Sequence, residues 1–350
     1  MKIALITGSC GLVGSEASIF FSRKGFTILG IDNNTRKFFF GKDGDVSWVK
    51  KKLKKNVKNY KHFNLDIRNY NSLKTLFHKH RRNIKVIIHA AAQPSHDWAK
   101  NYPFIDFDIN AKGTLNLLEL TKLYCPNSPF IFMSTNKVYG DNPNFLPLVE
   151  KKTRWEIKNS HKFKSGIDET MSIDNCTHSF FGASKSYADL IVQEYGKNAG
   201  LKTVCFRAGC ITGPNHSGAK LHGFLSFLVK ASMQNKKYSL IGYKGKQVRD
   251  NIHSHDLVSC FWEYYKKPRI GEIYNTGGGR YSNCSIIEAL DLVQKISGIK
   301  IEKKILKQNR IGDHIWYVSS MKKFKKHYPK WKQVYSTKKI LNELIKNFKK

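Results

Sequence analysis

Acidic residues are scarce in this chain. Its 350 residues include 26 Asp and Glu against 61 Lys and Arg, a formal net charge of +35. Such an excess can mark a polyanion-binding surface or a lysine-rich bias spread over solvated faces. The lysines are scattered, and the densest run, Lys50 to Lys58, reads as one exposed helical or loop face. There is no arginine-rich tail and no zinc-finger or RNA-recognition signature, so nucleic acid is not the expected partner. The seven cysteines (10, 125, 176, 205, 210, 260 and 284) are odd in number and form no CxxC pair. That argues against a disulfide framework or a zinc site and suits the reduced thiols of a cytoplasmic enzyme; no metal is expected. No segment approaches the roughly 20 apolar residues a membrane helix needs. The apolar run in the opening MKIALITG is too short for a signal peptide and ends in a glycine loop. Internal repeats and low-complexity linkers are also missing.

What is present is alternation. Apolar strand runs at 2–6, 26–31, 84–89, 129–134 and 202–207 are separated by helical spacing at 12–24, 71–80, 113–123 and 181–197. Strand–helix repetition of this kind builds a parallel sheet covered by helices on both faces, an α/β Rossmann-type doubly wound fold. After Gly209 the rhythm loosens, with helical segments at 221–233, 255–267, 284–297 and 337–348. The expected division is a dinucleotide-binding domain over 1–208 and a mainly substrate-binding lobe over 209–350, some of whose segments return to the sheet.

Between the first strand and the first helix stands Gly8-Ser-Cys-Gly11-Leu12-Val13-Gly14, a GxxGxxG loop. Glycines let backbone approach a pyrophosphate, and the helix N-terminus adds amide donors and dipole. The pattern alone is weak. It gains weight from Asp32, which ends the second strand 18 residues after Gly14, where a carboxylate takes ribose hydroxyls and favours NAD over NADP. Asn33 adjoins it, and Arg36 and Lys37 follow closely enough to tolerate a 2′-phosphate. The plainer reading of Asp32-Asn33 is a turn.

Further motifs follow in order: Asp66-Ile67-Arg68, His89-Ala-Ala-Ala-Gln93, Asn110-x-x-Gly113-Thr114, Ser134-Thr135-Asn136-Lys137-Val138-Tyr139-Gly140, Gly182-Ala-Ser-Lys185, Gly213-Pro214, Arg249-Asp250 and Tyr274-Asn-Thr-Gly-Gly278. Together they resemble the extended short-chain dehydrogenase/reductase family, the NAD-dependent epimerases and dehydratases, over nearly the whole chain. Within it, residues 134–141, His178-Ser179 and 245–250 look most like the CDP-paratose 2-epimerase branch. The resemblance implies NAD as cofactor, a nucleotide-sugar substrate, no membrane association and a homodimer. It implies that Asp66 and Ile67 flank the adenine and that Ala90, Ala91 and Ala92 lie under the cofactor. Asn110 supports the active-site backbone, and Lys185 holds the nicotinamide ribose. Gln93, Thr135 and Asn136 face the sugar, with Thr135 bonding the reacting hydroxyl; Arg249 meets the diphosphate, and Arg310 and Asp313 close over the nucleotide. Each has a duller alternative: a strand-end hydroxyl for Thr135, a solvated helix lysine for Lys185, an Arg249–Asp250 salt bridge.

One position departs from the family. Its catalytic pair is Tyr-x-x-x-Lys, and here Phe181 stands four residues before Lys185. Phenylalanine cannot take a proton, and general-base help is commonly worth about 10²- to 10⁴-fold. Another group could serve (Lys185, His178, Tyr139, or a water held by Thr135). The substitution could instead be an engineered trap, or the protein could bind without turnover. Asn136 and Lys137 occupy the places where the family's dehydratases carry Asp-Glu, which disfavours dehydration. The expected activity is NAD-dependent epimerisation of a nucleotide sugar through a transient keto-sugar, at C2 of a CDP-sugar. The alternatives are a 4-epimerase or reductase, or a catalytically silent dinucleotide- or RNA-binding protein.

Overall fold

A computed structural model describes residues 1–216, 223–306 and 313–348. The chain runs β1 (Ile3–Thr7), α1 (Leu12–Arg23), β2 (Thr27–Ile31), α2 (Thr35–Phe40), α3 (Ser47–Asn56), β3 (Tyr60–Phe63), α4 (Tyr70–His80), β4 (Ile84–His89), α5 (His96–Asn101), α6 (Pro103–Phe107), α7 (Gly113–Tyr124), β5 (Phe130–Thr135), β6 (Leu148–Glu150), β7 (Trp155–Ile157) and α8 (Phe180–Lys197). It continues with β8 (Thr203–Ala208), β9 (Cys210–Thr212), α9 (Phe224–Met233), β10 (Tyr238–Ile241), β11 (Val248–His253), α10 (Ser254–Lys266), β12 (Glu272–Thr276), β13 (Asn283–Ser285), α11 (Ile286–Ser297), β14 (Lys303–Leu306), β15 (Trp316–Tyr317), α12 (Lys322–His327) and α13 (Thr337–Phe348).

Seven strands form one sheet in the order β12-β8-β5-β4-β1-β2-β3, with β3-β2-β1-β4-β5 paired in parallel. All five residues of β1 are buried, as expected of a strand covered on both faces. Chain order reverses between β1 and β4. In open α/β sheets ligands bind at this switch point, beyond the strands' carboxyl ends. The loops that follow β1 and β4 carry the glycines and the alanine trio.

The chain divides into two compact units. The first comprises Met1–Val138, Ser179–Arg207 and Val258–Tyr274, and the second Tyr139–His178, Ala208–Leu257 and Asn275–Lys350. A single cut at 208/209 therefore misplaces 139–178, which belong to the second unit; their short strands β6 and β7 carry no helix–strand rhythm that would have signalled this. The first unit's core joins the sheet to α4, α7 and α8 through residues such as Leu5, Leu29, Phe77, Leu117 and Val192. The second has its own core, where Leu228, Leu290, Ile340 and Leu344 bring α9, α11 and α13 together. The lysine run is α3: Val49 and Leu53 are buried, while Lys51, Lys52, Lys54 and Lys55 face solvent. No helix among the described residues is long and apolar enough to cross a membrane.

Candidate active site

The glycine loop is packed against its surroundings. Gly8 has φ +65°, and a Cβ there would lie 2.7 Å from the amide nitrogen of Ala91. A Cβ on Gly14 would sit 2.1 Å from the carbonyl oxygen of Gly8. Gly11 donates its N–H to that same carbonyl at 2.9 Å and begins α1 without any side-chain cap. Leu12 and Val13 open the helix, half-buried. The first turn of a twelve-residue helix thus presents uncapped amides where an anion is best held.

Asp32 lies just past β2. Its carboxylate accepts the N–H of Cys10 at 2.9 Å and of Asn34 at 2.8 Å, which ties it to the glycine loop. Burial pushes its pKa up. The Asn33 side chain donates to Asp66 at 3.1 Å, so the ends of β2 and β3 meet. Asp66 also accepts a fork of bonds from Arg68, at 3.0 and 2.7 Å. Ile67 is buried against Gly113, where a Cβ would come within 2.6 Å of its Cδ1. Ala90, Ala91 and Ala92 follow β4, all half-buried. Of the two cations after Asp32, Arg36 stacks on Phe40 at 4.7 Å, and Lys37 pairs with Asp45 at 3.3 Å. The residues present fit a dinucleotide whose ribose bears free hydroxyls.

Thr135 ends β5, half-buried, and its Oγ1 accepts the N–H of Lys137 at 3.2 Å. Asn136, next to it, is buried. Helix α8 starts at Phe180 because Ser179 caps it, its hydroxyl accepting the N–H of Gly182 at 3.1 Å. Phe181 and Lys185 stand one turn apart on the buried face of α8. Lys185 is not a solvated helix lysine. Its Nζ donates to the Met133 carbonyl at 2.7 Å and lies 4.1 Å from the centre of the Phe132 ring; burial lowers its pKa to about 8. The ring of Phe181 rests on the imidazole of His96, centroids 5.0 Å apart, and His96 Nδ1 is 2.6 Å from the Ser179 hydroxyl. Sequence reasoning missed His96 because it sits 85 positions from Phe181 and belongs to no motif.

Asn110 occupies a π-helical turn over Asp108–Lys112. Its side chain accepts Gln93 N at 2.9 Å and donates to Gln93 O, Asp106 and Ser184 at 3.0–3.1 Å. These bonds tie the turn after β4 to α6 and α8. Gln93 differs from the expectation. It is fully buried, its amide donating to Ser95 O and Asp106 and accepting from Ser95 N. Its side-chain amide is taken up by Ser95 in the turn after β4 and by Asp106 of α6, so it braces that turn against α6 instead of facing a sugar.

In the second unit Arg249 is bound to the Asp313 carboxylate and to its neighbour's carbonyl, Val248 O, at 2.8 Å. An Arg249–Asp250 salt bridge is not formed. Asp250 turns inward, accepts the N–H groups of Ser319 and Gly279, and is pushed by burial to about 6. Arg310 lies outside the described residues. Tyr139 is wholly buried, its hydroxyl donating to Asn275 at 2.8 Å, which leaves it no exposed oxygen for proton transfer. His178 lies beside Cys176, with both ring nitrogens 3.7–3.8 Å from the sulfur.

Residues 4–277 match the model of the NAD dependent epimerase/dehydratase family. The chain belongs to that family. As a member it is NAD dependent, in agreement with the dinucleotide cradle. It is 31% identical to CDP-paratose 2-epimerase of Salmonella typhi over 331 residues, 92% of each chain. It is 27% identical to UDP-glucuronate 4-epimerase of Thermodesulfobacterium geofontis over 361 residues, 100% of each. Two solved structures have a similar fold. UDP-glucose 4-epimerase of Thermotoga maritima has a TM-score of 0.79 at 21% identity, covering 99% of this chain and 98% of that one. dTDP-glucose 4,6-dehydratase of Bacillus anthracis, solved with NAD, has 0.77 at 22%, covering 100% and 97%.

Proposed function

We propose that this family member epimerises a nucleotide sugar by transient oxidation and re-reduction of one carbon, at C2 of a CDP-sugar of the CDP-paratose/CDP-tyvelose type. The observation that carries the epimerase reading is the end of β5, where Thr135 is followed by Asn136 and Lys137. Elimination of water needs an acid to protonate the leaving oxygen and a base to take the α-proton. An amide and an ammonium supply no such carboxylate pair. Support for the C2 and CDP assignment is the likeness to the Salmonella enzyme over 92% of each chain.

Bound nicotinamide supplies a reversible two-electron oxidation of a carbinol carbon. The chain's residues bind and orient around it. The amides of Leu12 and Val13 in the first turn of α1 take the pyrophosphate, with Gly8 and Gly14 allowing the close approach and Gly11 closing the turn onto the Gly8 carbonyl. Asp32 and Asn33 take the adenosine ribose, Asp66 and Ile67 border the adenine, and Ala90, Ala91 and Ala92 leave room beneath. Lys185, already directed at backbone oxygen near the end of β5, holds the second ribose, and Asn110 keeps α8 in register with the turn after β4. Thr135 Oγ1 bonds the reacting hydroxyl, and Asn136 borders the sugar. Arg249 presents a planar cation suited to phosphate oxygens, its charge offset by Asp313 until a diphosphate arrives.

The test is incubation of the protein with CDP-paratose, with and without added NAD, following the C2 proton by NMR. Conversion to CDP-tyvelose is the expected result. Conversion of UDP-glucuronate instead, with CDP-paratose untouched, would move the reading to 4-epimerisation.

A further inference from the structure

Phe181 removes the phenol that the family resemblance calls for, and the same corner of α8 holds a hydroxyl–imidazole pair. Ser179 precedes Phe181 by two residues, and its hydroxyl is 2.6 Å from His96 Nδ1, while the His96 ring lies against the ring of Phe181 itself. Both residues are half-buried, neither sealed in the core nor fully in water. The pair is held from two sides. The Ser179 oxygen also accepts the Gly182 N–H, so negative charge developing there meets the N-terminal end of an eighteen-residue helix. His96 opens α5 behind the buried Gln93–Ser95 turn, itself strapped to Asn110 and through it to Ser184 of α8.

Building on the proposed epimerase function, we infer that the Ser179–His96 hydroxyl–imidazole pair replaces the missing phenol as the group that takes and returns the sugar proton. The sugar O–H bond breaks and its proton goes to Ser179 Oγ as the serine proton goes to His96 Nδ1. The freed oxygen pair closes the C=O bond, and the electron pair of the C–H bond reduces the oxidised nicotinamide. Return of that pair to the opposite face, with the imidazolium proton passing back through Ser179, forms the epimer and leaves the enzyme unchanged. An imidazole exchanges protons near neutral pH, where a free phenol does so poorly without a neighbouring cation.

The test compares wild type, His96→Asn, and His96→Asn with Phe181→Tyr, after confirming that all three bind NAD equally. His96→Asn is expected to lower kcat about 100-fold, with KM little changed. Adding Phe181→Tyr, which restores the phenol beside Lys185, is expected to recover about tenfold or more of that loss on the same scale. An undiminished rate in His96→Asn, or no recovery in the double variant, overturns the inference. A second readout needs no turnover. In NAD-loaded wild type, the His96 ring resonances, assigned by their loss in His96→Asn, are expected to shift on adding CDP-paratose and to stay in place with CDP alone. Unmoved resonances overturn the inference. If wild type converts neither CDP-paratose nor UDP-glucuronate, the proposed function fails, and the NMR comparison still judges whether the pair meets the sugar.

Discussion

Lys185 donates its Nζ proton to the carbonyl of Met133 at 2.7 Å, across the face of Phe132, in a site almost closed to solvent. A buried ammonium with one carbonyl partner resists protonation, and its pKa falls from an ordinary 10.5 to about 8.

That shift has a definite stability signature. Between pH 8 and 10.5 the unfolded chain holds the lysine proton and the folded chain gives it up. Unfolding free energy therefore falls as pH drops from 10.5 towards 8, and this contribution is level below 8. At about 1.4 kcal/mol per pKa unit the total is a few kcal/mol. The difference in urea-unfolding free energy between wild type and Lys185→Met isolates this dependence from other titrations. A difference that stays flat across the window would show that the ammonium is solvated in the native protein.

Gly14→Ala places a methyl group 2.1 Å from the Gly8 carbonyl, against backbone that cannot swing away. The expected cost is at or above the upper end of the ~1–3 kcal/mol typical of overpacking, with loss of NAD binding by calorimetry. Gly25→Ala is the control. It has φ +84° but nothing within 4 Å, so it should cost only ~1–2 kcal/mol and leave NAD affinity intact.

Asp32→Asn keeps one acceptor for the Cys10 and Asn34 amides but removes the charge that repels a 2′-phosphate. The ratio of NADP to NAD dissociation constants is expected to fall at least tenfold, about 1.4 kcal/mol, chiefly through tighter NADP. An unchanged ratio would mean that the ribose lies elsewhere.

Arg249→Gln should weaken CDP binding by about tenfold or more, as expected for loss of a charge-assisted contact. Arg249→Lys should recover only part of it, because an ammonium cannot make the planar two-pronged contact. Equal affinity for CDP in all three proteins would place the diphosphate away from Arg249.

Much of the candidate site is legible in the sequence because its residues are grouped locally along the chain. The glycine loop, Asp32 and the alanine trio each sit directly after a strand, and strands announce themselves as apolar runs. Lys185 was legible through its spacing within one helix. Gln93 misled for the same reason: its motif points to the site, but only the fold reveals Ser95 and Asp106 consuming its amide. Residues 139–178 belong to the second unit although they precede residue 209, and their short strands and loops carry little periodic signal.

The sequence by itself determined the alternating parallel sheet, the dinucleotide loop and the loss of the catalytic phenol, since these rest on hydrophobic period, glycine placement and the identity of one side chain. The tertiary structure alone decided which polar groups meet: Arg249 with Asp313 rather than its neighbour Asp250, Asn33 with Asp66, and His96 with Ser179 beside Phe181. Such pairs join residues up to 83 positions apart, and their partners are chosen by strand order and helix packing, which no local pattern of residues encodes.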